Sequence, residues 1–230
     1  MPKLLDLFCC CGGISKGFHN KGWECTGVDI KDGHQYPYEF IQSDVFDLPM
    51  DFFQQFDLIH ASPPCQFHIP TNKHRQHNHI NLIPKTIELL EKAGKPYIIE
   101  NVPGSPLRKD LVLCGEALGL KVIRHRIFQI KGFTVMQPKH EKHKISVLNG
   151  TAVPLYSGGF CPGFWGNKER RKEFIQNRKE KNLYKFTIND YQNATGIDWV
   201  DKKEHLTQMI PPKYAEYIAL NYENCIPMIK

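Results

Sequence analysis

A chain of 230 residues with 41% hydrophobic content is long enough for one good core and too short for two full domains. No apolar run reaches the length of a membrane span, and Met1-Pro2-Lys3 leads into a strand-like run instead of a signal-peptide core, so a cytoplasmic protein without a membrane partner is expected. The formal charge of +6 favours a polyanionic partner, and eight cysteines without paired spacing fit a reducing compartment better than a disulfide framework.

Lys3 to Phe8 reads as a short buried strand, Cys9 to Gly13 as a turn of small residues, and Ile14 to Lys21 as a helix closed by Gly22. Trp23 to Asp29 follows as a second strand ending in a carboxylate. That pairing of a small-residue turn with an acid about twenty residues on is how nucleotide-type folds hold a ribose. The lesser alternative for Asp29 is a turn residue before Lys31-Asp32-Gly33. Glu39 to Gln42 reads as a third strand, after which Ser43-Asp44-Val45 brings another acid to a strand end.

Phe56 to His60 reads as a strand that stops at Pro63-Pro64 and presents Cys65 at its C-terminal end, where an open α/β sheet puts its chemistry. Cys65 is a candidate nucleophile; a half-buried core cysteine is the alternative. The spacing predicts a helix over Ile80 to Ala93, then an apolar strand over Lys95 to Ile99 that ends in Glu100-Asn101. Consecutive parallel strands share an edge, so Glu100 is expected near Cys65. Leu111 to Leu118 reads as a short helix and Lys121 to Phe128 as a strand with Arg124 and Arg126 on one face.

From Gly132 to Lys185 the chain is rich in Gly, Pro, Lys, Arg and aromatics. Lys168 to Lys185 reads as a charged helix whose cations, with Phe160, Phe164 and Trp165, either face solvent or meet nucleic acid. A helix led by Pro211-Pro212 closes the sequence.

The ordered set Asp6-Leu7-Phe8 through Gly12-Gly13, Gly27-Val28-Asp29, Asp44, Pro63-Pro64-Cys65-Gln66, Glu100-Asn101-Val102, Arg124-His125-Arg126 and Pro211-Pro212 resembles the cytosine-5 DNA methyltransferase family, in the compact form carried by bacteriophages. The resemblance implies an α/β, Rossmann-like S-adenosylmethionine-dependent methyltransferase fold with a small variable target-recognition region. Its parts would be a catalytic and cofactor-binding core over 1–130, the recognition region over 131–185, and a C-terminal segment over 186–230 that returns to the core. The expected partner is double-stranded DNA and the expected state a monomer. The resemblance places Phe8, Cys11, Gly12 and Gly13 around the cofactor, Asp29 on its ribose, Ile30 and Val45 near the adenine, Asp44 on the adenine amino group, and Pro64 and Gln208 at its margin. Cys65 would attack C6 of a flipped cytosine, Glu100 and Arg126 would hold the base, and Pro64, Gln66, Asn101 and Arg124 would complete the catalytic set.

The residue types suit that chemistry, because C5 of cytosine becomes nucleophilic only once a thiolate adds at C6. Cys10 stands where the family carries glycine, His68-Ile69 replace an aromatic-serine pair, Val122 replaces a glutamine, and Gln208 an asparagine. The triple cysteine and the loop with His68, His74, His77 and His79 are read as packing and as a basic loop, and no metal ligand is assigned. A catalytically silent DNA-binding homologue and an RNA cytosine-5 methyltransferase are the competing readings.

Overall fold

The computed structural model describes residues 1–32, 35–68, 80–145, 152–153 and 186–225. The expected helix over Lys168 to Lys185, the aromatics Phe160, Phe164 and Trp165, and the loop from Ile69 to His79 lie outside the described residues. No helix among the described residues is long and apolar enough to cross a membrane.

The strands are β1 (Lys3–Leu7), β2 (Glu24–Asp29), β3 (Glu39–Gln42), β4 (Leu58–Ala61), β5 (Tyr97–Asn101), β6 (Leu111–Cys114) and β7 (His125–Lys131). They form one sheet in the order β3-β2-β1-β4-β5-β7-β6. The first five run parallel, while β7 is antiparallel to both β5 and β6. The order reverses between β1 and β4, and a crevice opens at the C-terminal ends of two strands that diverge in this way.

Both faces of the sheet are covered. In β1, Leu4 points into one apolar layer while Leu5 and Leu7 point into the other. The Leu4 side is roofed by α1 (Gly13–His19) and a long helix near the C-terminal end, α6 (Pro212–Cys225), through Phe18, Trp23, Tyr214 and Ile218. The Leu5 side is roofed by α2 (Met50–Phe53) and α3 (Ile83–Ala93), through Phe53, Ile83 and Leu90. Two further helices, α4 (Ile188–Thr195) and α5 (Lys203–Gln208), bring Tyr191 and Leu206 against Cys11 and Val122 in a third cluster.

α1 and α6 come close because two positions lack side chains. A Cβ on Gly13 would stand 2.1 Å from the Ile210 carbonyl oxygen, and one on Gly17 would stand 2.2 Å from the Pro212 oxygen. Polar ties hold the same pairing: Asn20 Nδ2 donates to Glu216 Oε1 at 2.8 Å, and Trp23 Nε1 donates to Glu223 Oε1 at 3.3 Å.

Three sequence expectations are corrected. Leu111 to Cys114 is a strand, followed by a 3₁₀ turn over Glu116–Leu118, not a helix. Four apolar residues carry no decisive period, and pairing with β7 settles the matter. The helix expected from Ile80 begins at Ile83, because Pro84 suits only a first helical turn; Ile80 is exposed. The strand expected from Lys121 begins at His125, so Arg124 precedes it and does not share a strand face with Arg126.

Candidate active site

The turn after β1 carries backbone strain that a glycine-only turn would avoid. Phe8 (φ 57°) and Cys10 (φ 50°) adopt left-handed conformations, as does Gly12 (φ 82°) at the start of α1. Asp29 stabilises it: its Oδ2 accepts the Cys10 N–H at 3.1 Å, while its Oδ1 accepts the Lys31 N–H at 3.0 Å. Asp29 thus braces its own turn, and each of its oxygens keeps a lone pair. One strand over, Asp44 caps a 3₁₀ turn by accepting the Phe46 N–H at 3.0 Å; Val45 is buried and Ile30 is 64% exposed.

These residues fit an adenosyl cofactor. The C-terminal ends of β1, β2 and β3 share one sheet edge, and along it lie an α1 terminus with no side-chain cap, two carboxylates and an exposed apolar side chain. Cys11 is buried under α4 and α5, and its carbonyl accepts the Trp199 indole N–H at 2.9 Å. Gln208 ends α5 with its side chain exposed.

Across the crevice, the loop after β4 is tied down on both sides. Ser62 N–H donates to the Leu7 carbonyl at 3.2 Å, and Asn101 Nδ2 donates to the Pro63 carbonyl at 2.8 Å. Pro63 is buried, Pro64 and Gln66 are exposed, and Cys65 is half-buried just before a 3₁₀ turn over Gln66–His68. His68 Nε2 lies 3.1 Å from Asn81 Oδ1, joining the two flanks of the 69–79 segment. That contact gives the unexpected His68 a role the sequence did not suggest.

Glu100 sits at the tip of β5, and Arg126 on β7 places its Nε 2.7 Å from Glu100 Oε1, with both side chains almost buried. The pair is close as ions but not aligned as a hydrogen bond, so Glu100 Oε1 lacks an aligned donor among the described residues. A buried carboxylate oxygen in that state is suited to a polar ligand group. Arg124 faces elsewhere: its guanidinium donates to the Thr207 and Gln208 carbonyls at 2.6 and 3.0 Å, satisfying the C-terminal end of α5. These bonds fix α5 beside β7.

A buried polar relay beneath the crevice escaped the sequence reading. Asp6 and His60 face one another in the β1–β4 register, with His60 Nδ1 2.7 Å from Asp6 Oδ1. Ser15 Oγ donates to the other Asp6 oxygen at 2.5 Å and meets the Tyr36 hydroxyl at 2.6 Å. The only sequence signal was a polar residue inside each of two apolar strands. The network locks β1 to β4 directly under the two active-site loops.

Residues 2–110 match the family model for C-5 cytosine-specific DNA methylases. This match places a C-5 cytosine-specific DNA methylase domain over residues 2–110, just under half of the chain. No curated protein matches its sequence. Among solved structures, this chain resembles a mutant DNMT2 from Spodoptera frugiperda (14% identity, 95% of this chain and 98% of that one, TM-score 0.61). It also resembles a protein encoded within an E. coli prophage and classed as a DNA modification methyltransferase (16%, 99% and 100%, TM-score 0.61). A third is the S. pombe Dnmt2 methyltransferase (16%, 100% and 99%, TM-score 0.60). At such identities these three likenesses establish the Rossmann-like methyltransferase fold.

Burial pushes the Cys65 thiol above its ordinary range; Arg126 and Arg124 pull it back down, while Glu100 pushes it up. The net effect favours the protonated thiol. Peptide-resolved alkylation of Cys65 should accelerate about tenfold per pH unit between pH 7 and 9, as the thiolate fraction grows. Glu100→Gln should be alkylated faster than wild type and Arg126→Gln more slowly at any pH in that window. A rate that is flat with pH, or variants that move together, would show that these charges do not govern the thiol.

Proposed function

We propose that the protein acts as a monomer on double-stranded DNA and methylates C5 of cytosine, using S-adenosylmethionine held by Phe8, Cys11, Gly12, Gly13, Asp29, Ile30, Asp44 and Val45. When bound, that cofactor supplies an electrophilic methyl group on a sulfonium. The observation that carries the reading is the meeting of Cys65, on its braced loop, with the buried Glu100–Arg126 pair at neighbouring strand tips.

The residues divide the work by charge and reach. Arg126 stabilises the Cys65 thiolate as the proton leaves, and the thiolate adds to C6 of the base. Glu100 holds the polar edge of the ring, and Arg126 stabilises the negative charge that develops there. Asn101 keeps Pro63 and hence Cys65 at a fixed height over the β5 tip. After methylation, loss of the C5 proton and expulsion of the Cys65 sulfur restore the aromatic ring. A base stacked in a duplex is beyond reach of a half-buried thiol, so the target must leave the stack, at about a few kcal/mol.

The reading of DNA over RNA rests on the matching family model and agrees with the +6 charge. Incubation of the protein and S-adenosylmethionine with 5-fluorocytosine duplex DNA, and in parallel with 5-fluorocytosine tRNA, separates the readings, because fluorine cannot leave as the proton does. A covalent adduct with DNA alone is expected. An adduct with tRNA alone would establish the RNA enzyme, and protein that binds cofactor and DNA without any adduct would establish a silent binder.

A further inference from the structure

We propose that Cys114, His125, His140 and His143 bind one zinc ion in a closed structural site, distinct from the catalytic crevice. One ligand atom from each residue lies within 4.8 Å of all the others. Cys114 and His125 are directly opposed in the β6–β7 register, so their side chains leave the same face of the sheet. The segment after β7 folds back over that face and delivers His140 and His143, whose rings sit 5.1 and 5.2 Å from the His125 ring.

The local contacts are those of a ligand set. His125 Nε2 and His140 Nε2 stand 3.1 Å apart, close to the edge of about 3.3 Å between two nitrogens of a zinc tetrahedron. Closing all four groups onto one ion asks for inward movement of about an ångström at the widest separation. His143 turns Nδ1 to the Glu116 carboxylate, leaving Nε2 for the metal, and Glu116 is itself held by the Lys144 and Ile145 amides at 2.8 and 3.1 Å. A carboxylate behind a metal-binding imidazole fixes its tautomer and raises its basicity. Cys114 is fully buried, which pushes its thiol above the ordinary range, while the amides of Glu116, Ala117 and Arg124 converge on its sulfur and oppose that shift.

One thiolate with three imidazoles and no carboxylate in the ligand set selects zinc over magnesium or calcium. Four protein ligands leave no open position, which makes the role structural. The ion would pin the 132–145 segment to β6 and β7, and it would clamp His125, the residue between Arg124 and Arg126. The spacing of these ligands, with ten, fourteen and two residues between them, fits no compact sequence motif, so the sequence reading missed the group.

The test uses untagged full-length protein. Wild type is expected to carry about one zinc per chain by mass spectrometry of metal content. With cobalt in place of zinc, it should show tetrahedral ligand-field bands and a thiolate charge-transfer band. His140→Gln, at an exposed position, should lose zinc while keeping its circular dichroism spectrum; Cys114→Ser should lose the thiolate band; and Glu116→Gln should weaken affinity by about tenfold or more. Folded wild type that neither contains zinc nor gives a tetrahedral cobalt spectrum would overturn the assignment. So would stoichiometric zinc retained in both His140→Gln and Cys114→Ser.

Discussion

Replacing Cys65 by alanine is expected to abolish the covalent adduct with 5-fluorocytosine DNA and to cut methyl transfer at least about ten-thousandfold, roughly 5.5 kcal/mol of barrier. The size follows from the chemistry: without addition at C6, C5 of cytosine is too weak a nucleophile to take a methyl group, and Glu100 and Arg126 have no developing charge to stabilise. The fold should tolerate the change. Cys65 lies in a loop anchored by backbone and Asn101 contacts that do not involve its thiol. Cofactor affinity and the thermal midpoint are therefore expected to stay at wild-type values. An adduct that persists in Cys65→Ala would remove Cys65 from the nucleophile's role, whereas a collapsed midpoint would show that the thiol is a packing residue.

Gly13→Ala is expected to be the most damaging single methyl addition in the catalytic core. The new Cβ would lie 2.1 Å from the Ile210 carbonyl oxygen, a backbone atom with no rotamer to retreat into, and the Met209 side chain closes the same space. α1 and α6 would have to separate, disturbing the layer of Phe18, Tyr214 and Ile218. Overpacking of this kind costs about 3 kcal/mol, which in a chain of this size lowers the thermal midpoint by roughly 6 to 12 °C. Gly22→Ala makes the contrast. At φ +83° with nothing within 4 Å, it meets only the left-handed strain of about 1 kcal/mol. Equal midpoints for the two variants would refute the close-approach account of α1 and α6.

Legibility varied along the chain for physical reasons. β1, β2 and β4 were readable because a parallel strand buried on both faces is a short continuous apolar run that stops at a turn or a proline pair. The meeting of Cys65 and Glu100 was readable too, since parallel neighbours bring their tips to one edge. β6 was misread because its four apolar residues have no period of their own and take their conformation from β7. α4 went unread although Thr187 and Asp190 form a capping box, a signal present in the sequence.

By itself the sequence determined the α/β class and the placing of Cys65, Glu100, Asp29 and Asp44 at or just beyond strand ends, because each depends on residue type and order along a strand. Only the tertiary structure decided what long-range partners impose. It set Arg124 on the carbonyls of α5 and Arg126 on Glu100, it brought Gly13 against the Ile210 backbone, and it gave His68 a partner in Asn81. It also gathered Cys114, His125, His140 and His143, residues dispersed in sequence and joined only when β6 and β7 pair and the following segment folds back over them.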